Sequence, residues 1–222
     1  MKHYNALSNQ ITRRILPIAC AAALATAFTV SLPAYAGQVT PPTDVPPDLQ
    51  VLAGNKLFLE GNATGTQNYF CAPSASSTTG VAYVLFTPQA TLFSPDDGGQ
   101  IITHFFSPNP DEVNTSTAVV APGGRIRATW VHSRDGSAVW AKLHTNGSVT
   151  VNKDAIAWLL LDVAGVENGP TGGDILTKTT FVQRLHTTGG LAPPTGCGSP
   201  SDLGNQAFIP YTADYLFYEK AD

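Results

Sequence analysis

The chain has 222 residues, a net charge of −4, and is 43% hydrophobic and 13% charged. Twelve basic residues against sixteen acidic ones argue against nucleic acid as a partner, because phosphate recognition rests on basic patches. The length suits one domain with a substantial core, or at most two small ones.

Residues 1–36 have the three-part build of a secretory signal. Lys2, Arg13 and Arg14 give a positive start, an alanine-rich apolar run covers 15–30, and Ala34-Tyr35-Ala36 is a small-x-small cleavage site before Gly37. The run carries Pro17, Thr26 and Thr29 and falls short of the roughly 20 residues of a membrane helix. An uncleaved N-terminal anchor is the alternative reading. No later stretch is long enough to span a bilayer, so no membrane span is expected after cleavage, and the expected location is periplasmic or extracellular. Cleavage leaves nine basic against sixteen acidic residues, a net charge of −7. It also removes Cys20 and leaves Cys71 and Cys197, 126 positions apart. In an oxidising compartment this pair is expected to form a disulfide, with two free thiols as the alternative. Neither lies in a Cys-x-x-Cys motif, which argues against a redox catalyst.

Residues 37–48 read as a proline-rich lead-in extended over the surface, and 49–222 as a single β-rich domain. Short strands are expected at 56–59 and 65–71, followed by a small-residue loop at 72–80. A β-branched and aromatic segment at 81–93 is broken by Pro88, and Pro95-Asp96-Asp97-Gly98-Gly99 turns it into a partner strand at 100–106. Residues 107–117 read as a loop. Pro122-Gly123-Gly124 joins strands at 118–121 and 125–131, Arg134-Asp135-Gly136-Ser137 joins 127–132 to 138–143, and Asn146-Gly147 is a further turn. Periodicity cannot distinguish strand from helix in the apolar run 155–164. A strand follows at 177–185, then a Gly/Pro loop at 189–198 carrying Cys197, and an aromatic-rich strand at 207–218. Roughly nine strands with closely spaced turn signals predict an all-β fold, a single antiparallel sandwich or barrel-like domain with long loops and one disulfide.

Several segments together resemble one known family. They are His104-Phe105-Phe106; Trp130 followed by Asp135-Gly136-Ser137; Trp158-Leu159-Leu160-Leu161; Gln183-Arg184-Leu185-His186-Thr187 with Gly189-Gly190 and Ala192-Pro193; and Tyr211, Ala213, Tyr215 and Phe217-Tyr218. In this order they resemble the domain-of-unknown-function family numbered 3455, exported bacterial and fungal proteins. Ala157 stands where the family usually has proline, His186 where it has asparagine, and 107–127 look like an insertion. The resemblance implies one exported β-rich domain and no activity. A malate dehydrogenase label carried by some fungal relatives finds no support here, since no strand–Gly-x-Gly-x-x-Gly–helix unit is present.

Candidate chemistry is sparse. His104, Asp135, Ser137 and His186 are the candidates for catalysis, with Asp135-Gly136-Ser137 equally explained as turn chemistry. His132 and His144 could meet across a hairpin only by accident of register, so no metal site and no cofactor is expected. Arg184, on a half-buried strand, wants a carboxylate such as Asp162, the carbonyls of the 187–190 turn, or a ligand anion with His186 beside it. Trp130 and Trp158 could line a groove or fill the core. A two-residue loop at Asp135-Gly136 would pair Val131 with Trp140, placing Trp130 and Trp140 on opposite faces. The expected function is a non-enzymatic binding or envelope-associated module, its partner a small molecule or a cell-envelope component. The alternative is an extracytoplasmic hydrolase.

Overall fold

The computed structural model describes residues 40–115 and 123–222. The signal predicted for 1–36 and the strand predicted at 118–121 lie outside those residues. Eight strands, β1 (Asn55–Pro73), β2 (Val81–Phe93), β3 (Gln100–Asn109), β4 (Arg125–His132), β5 (Ala138–Val149), β6 (Trp158–Glu167), β7 (Thr179–Gly189) and β8 (Gln206–Lys220), follow one another around a closed barrel. Every neighbouring pair is antiparallel, and β8 returns to pair with β1 from Asn55↔Lys220 to Phe70↔Gln206. The sandwich alternative is therefore excluded. Closure leaves the sheet without a free first and last strand, which removes the usual hazard of open edges.

Eight strands among the described residues, rather than roughly nine, arise because 56–59 and 65–71 belong to one long β1 and the strand expected at 118–121 lies outside those residues. The length of β1 forces two register shifts, at Leu57/Leu59 against β8 and at Asn68/Tyr69 against β2. Pro88 does not break β2. It sits just before Ala90, where the four-pair ladder to β3 begins, so its missing N–H is needed by no partner strand on that side. There the Thr87 hydroxyl accepts the Phe106 N–H at 2.9 Å. The predicted loop at 107–117 starts later, since β3 continues to Asn109. Asn146-Gly147 is not a hairpin turn but an irregularity inside β5, with Asn146 at φ 61° and the β6 register jumping between Leu143 and Ser148. The β4–β5 connection is also longer than expected. His132 N–H donates to Ser137 O and Val131 pairs with Ala138, so Trp130 lies opposite Val139. Trp130 and Trp140 still occupy opposite faces. Trp130 is inside the barrel, and Trp140 is outside with its indole N–H on Ser107 Oγ at 2.9 Å.

The interior is filled by alternate residues of the strands, among them Leu92, Ile102, Trp130, Val182, Tyr215 and Phe217. A second cluster covers the outside of β6–β8 with Trp158, Leu160, Phe181, Leu185, Leu216 and Tyr218. The lead-in does more than run over the surface. A single 3₁₀ turn at Pro47–Leu49 drops Leu49, fully buried, onto that cluster, and the Leu49 carbonyl accepts from Gln183 Nε2 at 2.6 Å. Burying that leucine contributes on the order of 2 kcal/mol. Cover on both faces is why 158–161 reads as a continuous apolar run: Leu159 and Leu161 face the interior cluster, Trp158 and Leu160 the outer one.

The disulfide joins Cys71, near the end of β1, to Cys197 in the loop before β8, with Cα atoms 5.4 Å apart. Among the described residues no helix is long and apolar enough to cross a membrane.

Candidate functional site

His104 on β3 and Trp130 on β4 are direct cross-strand partners. Both side chains point inward, and their rings stack at 4.3 Å and 6°. Tyr215 of β8 leans on both, at 5.1 Å from His104 and 5.6 Å from Trp130. His104 Nδ1 donates to the Thr129 carbonyl at 2.8 Å, which fixes the tautomer because a carbonyl only accepts. Burial pushes the His104 pKa down to about 3, the Thr129 bond opposing and the charge of Arg184 adding to the shift. The ring is therefore neutral at physiological pH.

Beside this stack lies a cavity of about 370 Å³. Its inner wall carries Gln67, His104, Trp130, Arg184 and Tyr215, and its apolar wall includes Leu85, Phe106, Ile126, Leu143 and Leu159. It exists because the staves separate here. The β2–β3 ladder has only four pairs, β4–β5 only four, and β6–β7 only four. The opposite end is shut: Leu176, fully buried, joins the interior cluster there.

Two polar groups in that wall lack a partner. Gln67 is 2% exposed and Trp130 0%, yet Gln67 Nε2 and Trp130 Nε1 have no hydrogen-bond acceptor among the described residues. A buried donor left unpaired costs about 1–3 kcal/mol. Arg184 places Nε and Nη2 on the single carbonyl of Ala157, at 3.2 and 2.8 Å. No carboxylate among the described residues pairs with it. The expected ties to Asp162 or to the 187–190 turn are thus corrected. Asp162 instead accepts from His144 at 2.8 Å, and the 187–190 turn is held by Thr187 Oγ1 on the Ile156 carbonyl at 2.5 Å. At the cavity rim Arg127 holds Glu112 through two hydrogen bonds, 2.6 and 2.5 Å, and these hold the Glu112 carboxyl down to about 2.

The remaining candidate residues stand elsewhere. His186, at φ 47°, lies on the outside between Asp214 (2.8 Å) and Asp44 of the lead-in (3.1 Å), its ring edge-on to Trp158 at 4.8 Å. The expected ligand set therefore divides: Arg184 and Trp130 share the cavity, while His186 and Trp158 sit together on the outer face. Asp135 and Ser137 occupy the β4–β5 turn. Asp135 Oδ1 accepts from Ser137 N–H (3.0 Å), the Ser137 hydroxyl (2.8 Å) and His132 Nδ1 (3.0 Å), and Oδ2 accepts from Ile175 N–H (2.9 Å). The carboxylate thus stands between serine and histidine. A nucleophilic triad needs the reverse, with histidine between, so that the serine proton has a base to go to. Ser137 is also fully buried, its oxygen accepting from Leu176 N–H at 3.0 Å. Among the described residues no three His, Cys, Asp or Glu groups come close enough to hold a metal.

Gln67 went unnoticed in the sequence. It lies in a polar run, Thr64-Gly65-Thr66-Gln67-Asn68, with no local sign that its amide is turned inward. No curated protein and no solved structure matches the chain. A family model described as "Protein of unknown function (DUF3455)" matches residues 52–219, and the chain belongs to that family.

Proposed function

We propose that this barrel is a binding module for a small molecule held in the cavity between the splayed staves. The observation that carries the reading is the pair of unsatisfied buried N–H groups, on Gln67 and Trp130, in the wall of one cavity with a guanidinium that has no carboxylate partner among the described residues. Native interiors rarely retain such groups unless something is served by them. The cavity lies within the range of small-molecule sites, about 300–1,000 Å³, and eight-stranded barrels are wide enough to hold one small ligand. That last point is analogy of architecture only. The hydrolase alternative draws no support from the positions of Ser137, Asp135, His104 and His186, which fall in three separate places. A location outside the cytoplasm is part of the proposal, and the Cys71–Cys197 disulfide supports it.

Titration with an anilinonaphthalene sulfonate dye tests the site. One dye should bind per chain with enhanced emission, and Ala128→Trp, which fills the cavity wall, should abolish it while leaving the circular dichroism unchanged. A groove of about 500 Å³ on the outer face, lined by Phe70, Phe86 and Phe208, is the competing location. Dye binding that survives Ala128→Trp and disappears in Phe86→Ser would refute the interior site.

A further inference from the structure

Resting on the binding reading above, the charge pattern of the cavity identifies a ligand class. The lining holds Arg127, Lys142 and Arg184 and no aspartate or glutamate, in a chain whose net charge is −4. A positively lined cleft with low-dielectric walls concentrates anions even on an acidic protein. The three cations are not equivalent. Arg127 is neutralised by Glu112 at the rim. Lys142 makes no ion pair among the described residues, and its Cα partner across the β5–β6 ladder is Asp162. Arg184 is the cross-strand partner of Tyr215, and both line the cavity with Gln67. Its guanidinium is engaged by one neutral carbonyl, that of Ala157, which accepts from Nε and Nη2. His104, neutral and stacked on Trp130, adds no charge.

From this geometry we infer that the cavity binds an organic carboxylate with a compact apolar body. The carboxylate sits on the Arg184 guanidinium, with the unpaired Gln67 amide as a second donor, and the body lies against Leu85, Phe106, Leu143 and Leu159. One guanidinium without a carboxylate partner among the described residues matches one negative charge, and its planar edge suits a planar two-oxygen head. A neutral ligand would leave the guanidinium uncompensated. A cation would meet Arg184 and Lys142, the two lining cations without an ion pair among the described residues.

Calorimetric titration of octanoate, 1-octanol and octylamine decides the matter. The protein is expressed from the full sequence with its disulfide formed. Octanoate should bind at least tenfold more tightly than octanol, and octylamine should not bind. Arg184→Gln should bring octanoate down to the affinity of octanol without weakening octanol, and Arg184→Lys should retain part of the preference. Should Arg184→Gln fail to fold, the wild-type series with Arg184→Lys decides alone. Equal affinities for octanoate and octanol, both abolished by Ala128→Trp, would overturn the carboxylate assignment and leave the cavity reading intact. Preference for octylamine would do the same. Binding of none of the three, together with no dye binding, would overturn both.

Discussion

Replacing Asp135 by alanine removes, in one step, the acceptor for four donors. The structure allows the cost to be apportioned. Ile175 N–H lies near the surface and regains water, whereas Ser137 is fully buried and its N–H and O–H lose their acceptor with no solvent to replace it. The His132 ring, 5% exposed, loses its acceptor as well, and the two Ser137 donors alone, at about 1–2 kcal/mol each, set a loss of at least about 3 kcal/mol. For a domain of this size that corresponds to a fall in Tm of about 6–12 °C. The pH dependence has a definite sign. Desolvation pushes the Asp135 carboxyl up, but the bonds from Ile175 N–H, Ser137 N–H and the Ser137 hydroxyl, with His132, outweigh it and hold the group at about 2, below its ordinary 3.8. A carboxyl depressed by folding stabilises fully above its unfolded value and loses that contribution as the pH falls through its folded value. The gap between wild type and Asp135→Ala should therefore be constant from pH 5 to 8 and shrink between about pH 4 and 2. Thermal unfolding followed by circular dichroism measures it. A change in Tm below about 2 °C at pH 7, or a gap that widens on acidification, would refute the view of Asp135 as a latch between the β4–β5 turn and residues 175–176.

Removing the disulfide by Cys71→Ser with Cys197→Ser should cost about 4–5 kcal/mol through the freed unfolded chain. Denaturant unfolding reads the loss, and an unchanged midpoint would contradict it. His186→Asn keeps a residue that tolerates the left-handed backbone but removes the imidazolium between Asp44 and Asp214. Burial lowers the His186 pKa, but the bonds to Asp214 and Asp44 and their charges outweigh it and raise the group above 6.5. Its contribution is complete below about pH 6.5 and disappears as the pH rises through the folded value. With the side chain 38% exposed it should stay below about 1 kcal/mol, so the Tm gap should be small at pH 5.5 and absent near pH 9. A gap that grows with pH would be inconsistent with this pairing. Gln67→Met replaces an unpaired buried amide by an apolar chain of similar length. It should leave stability unchanged or raise it by about 1–3 kcal/mol while weakening octanoate, and a large destabilisation would show that the amide has a structural partner.

Much of the local structure was legible because it follows from short-range chemistry. Asp96-Asp97-Gly98-Gly99 turns β2 into β3 as the glycines require, with Gly98 at φ 67°. Asn146-Gly147 carries the same kind of signal yet forms a bulge. A positive φ at Asn146 serves a hairpin or a bulge equally, and only the continuing partner strand β6 decides between them. Arg184 was legible as a guanidinium in need of an anion, whereas its position beside Gln67 was not. The two line one cavity although they lie far apart along the chain, on β7 and β1.

By itself the sequence determined an all-β chain, its main turns and the cysteine pair, since alternation, glycine and proline act over a few residues. Tertiary structure alone decided that the sheet closes through β8 on β1, that the lead-in caps the outside of β6–β8, and that Gln67, His104, Trp130 and Arg184 share one cavity. Those outcomes depend on strand register and barrel closure between distant segments, and no local pattern encodes them.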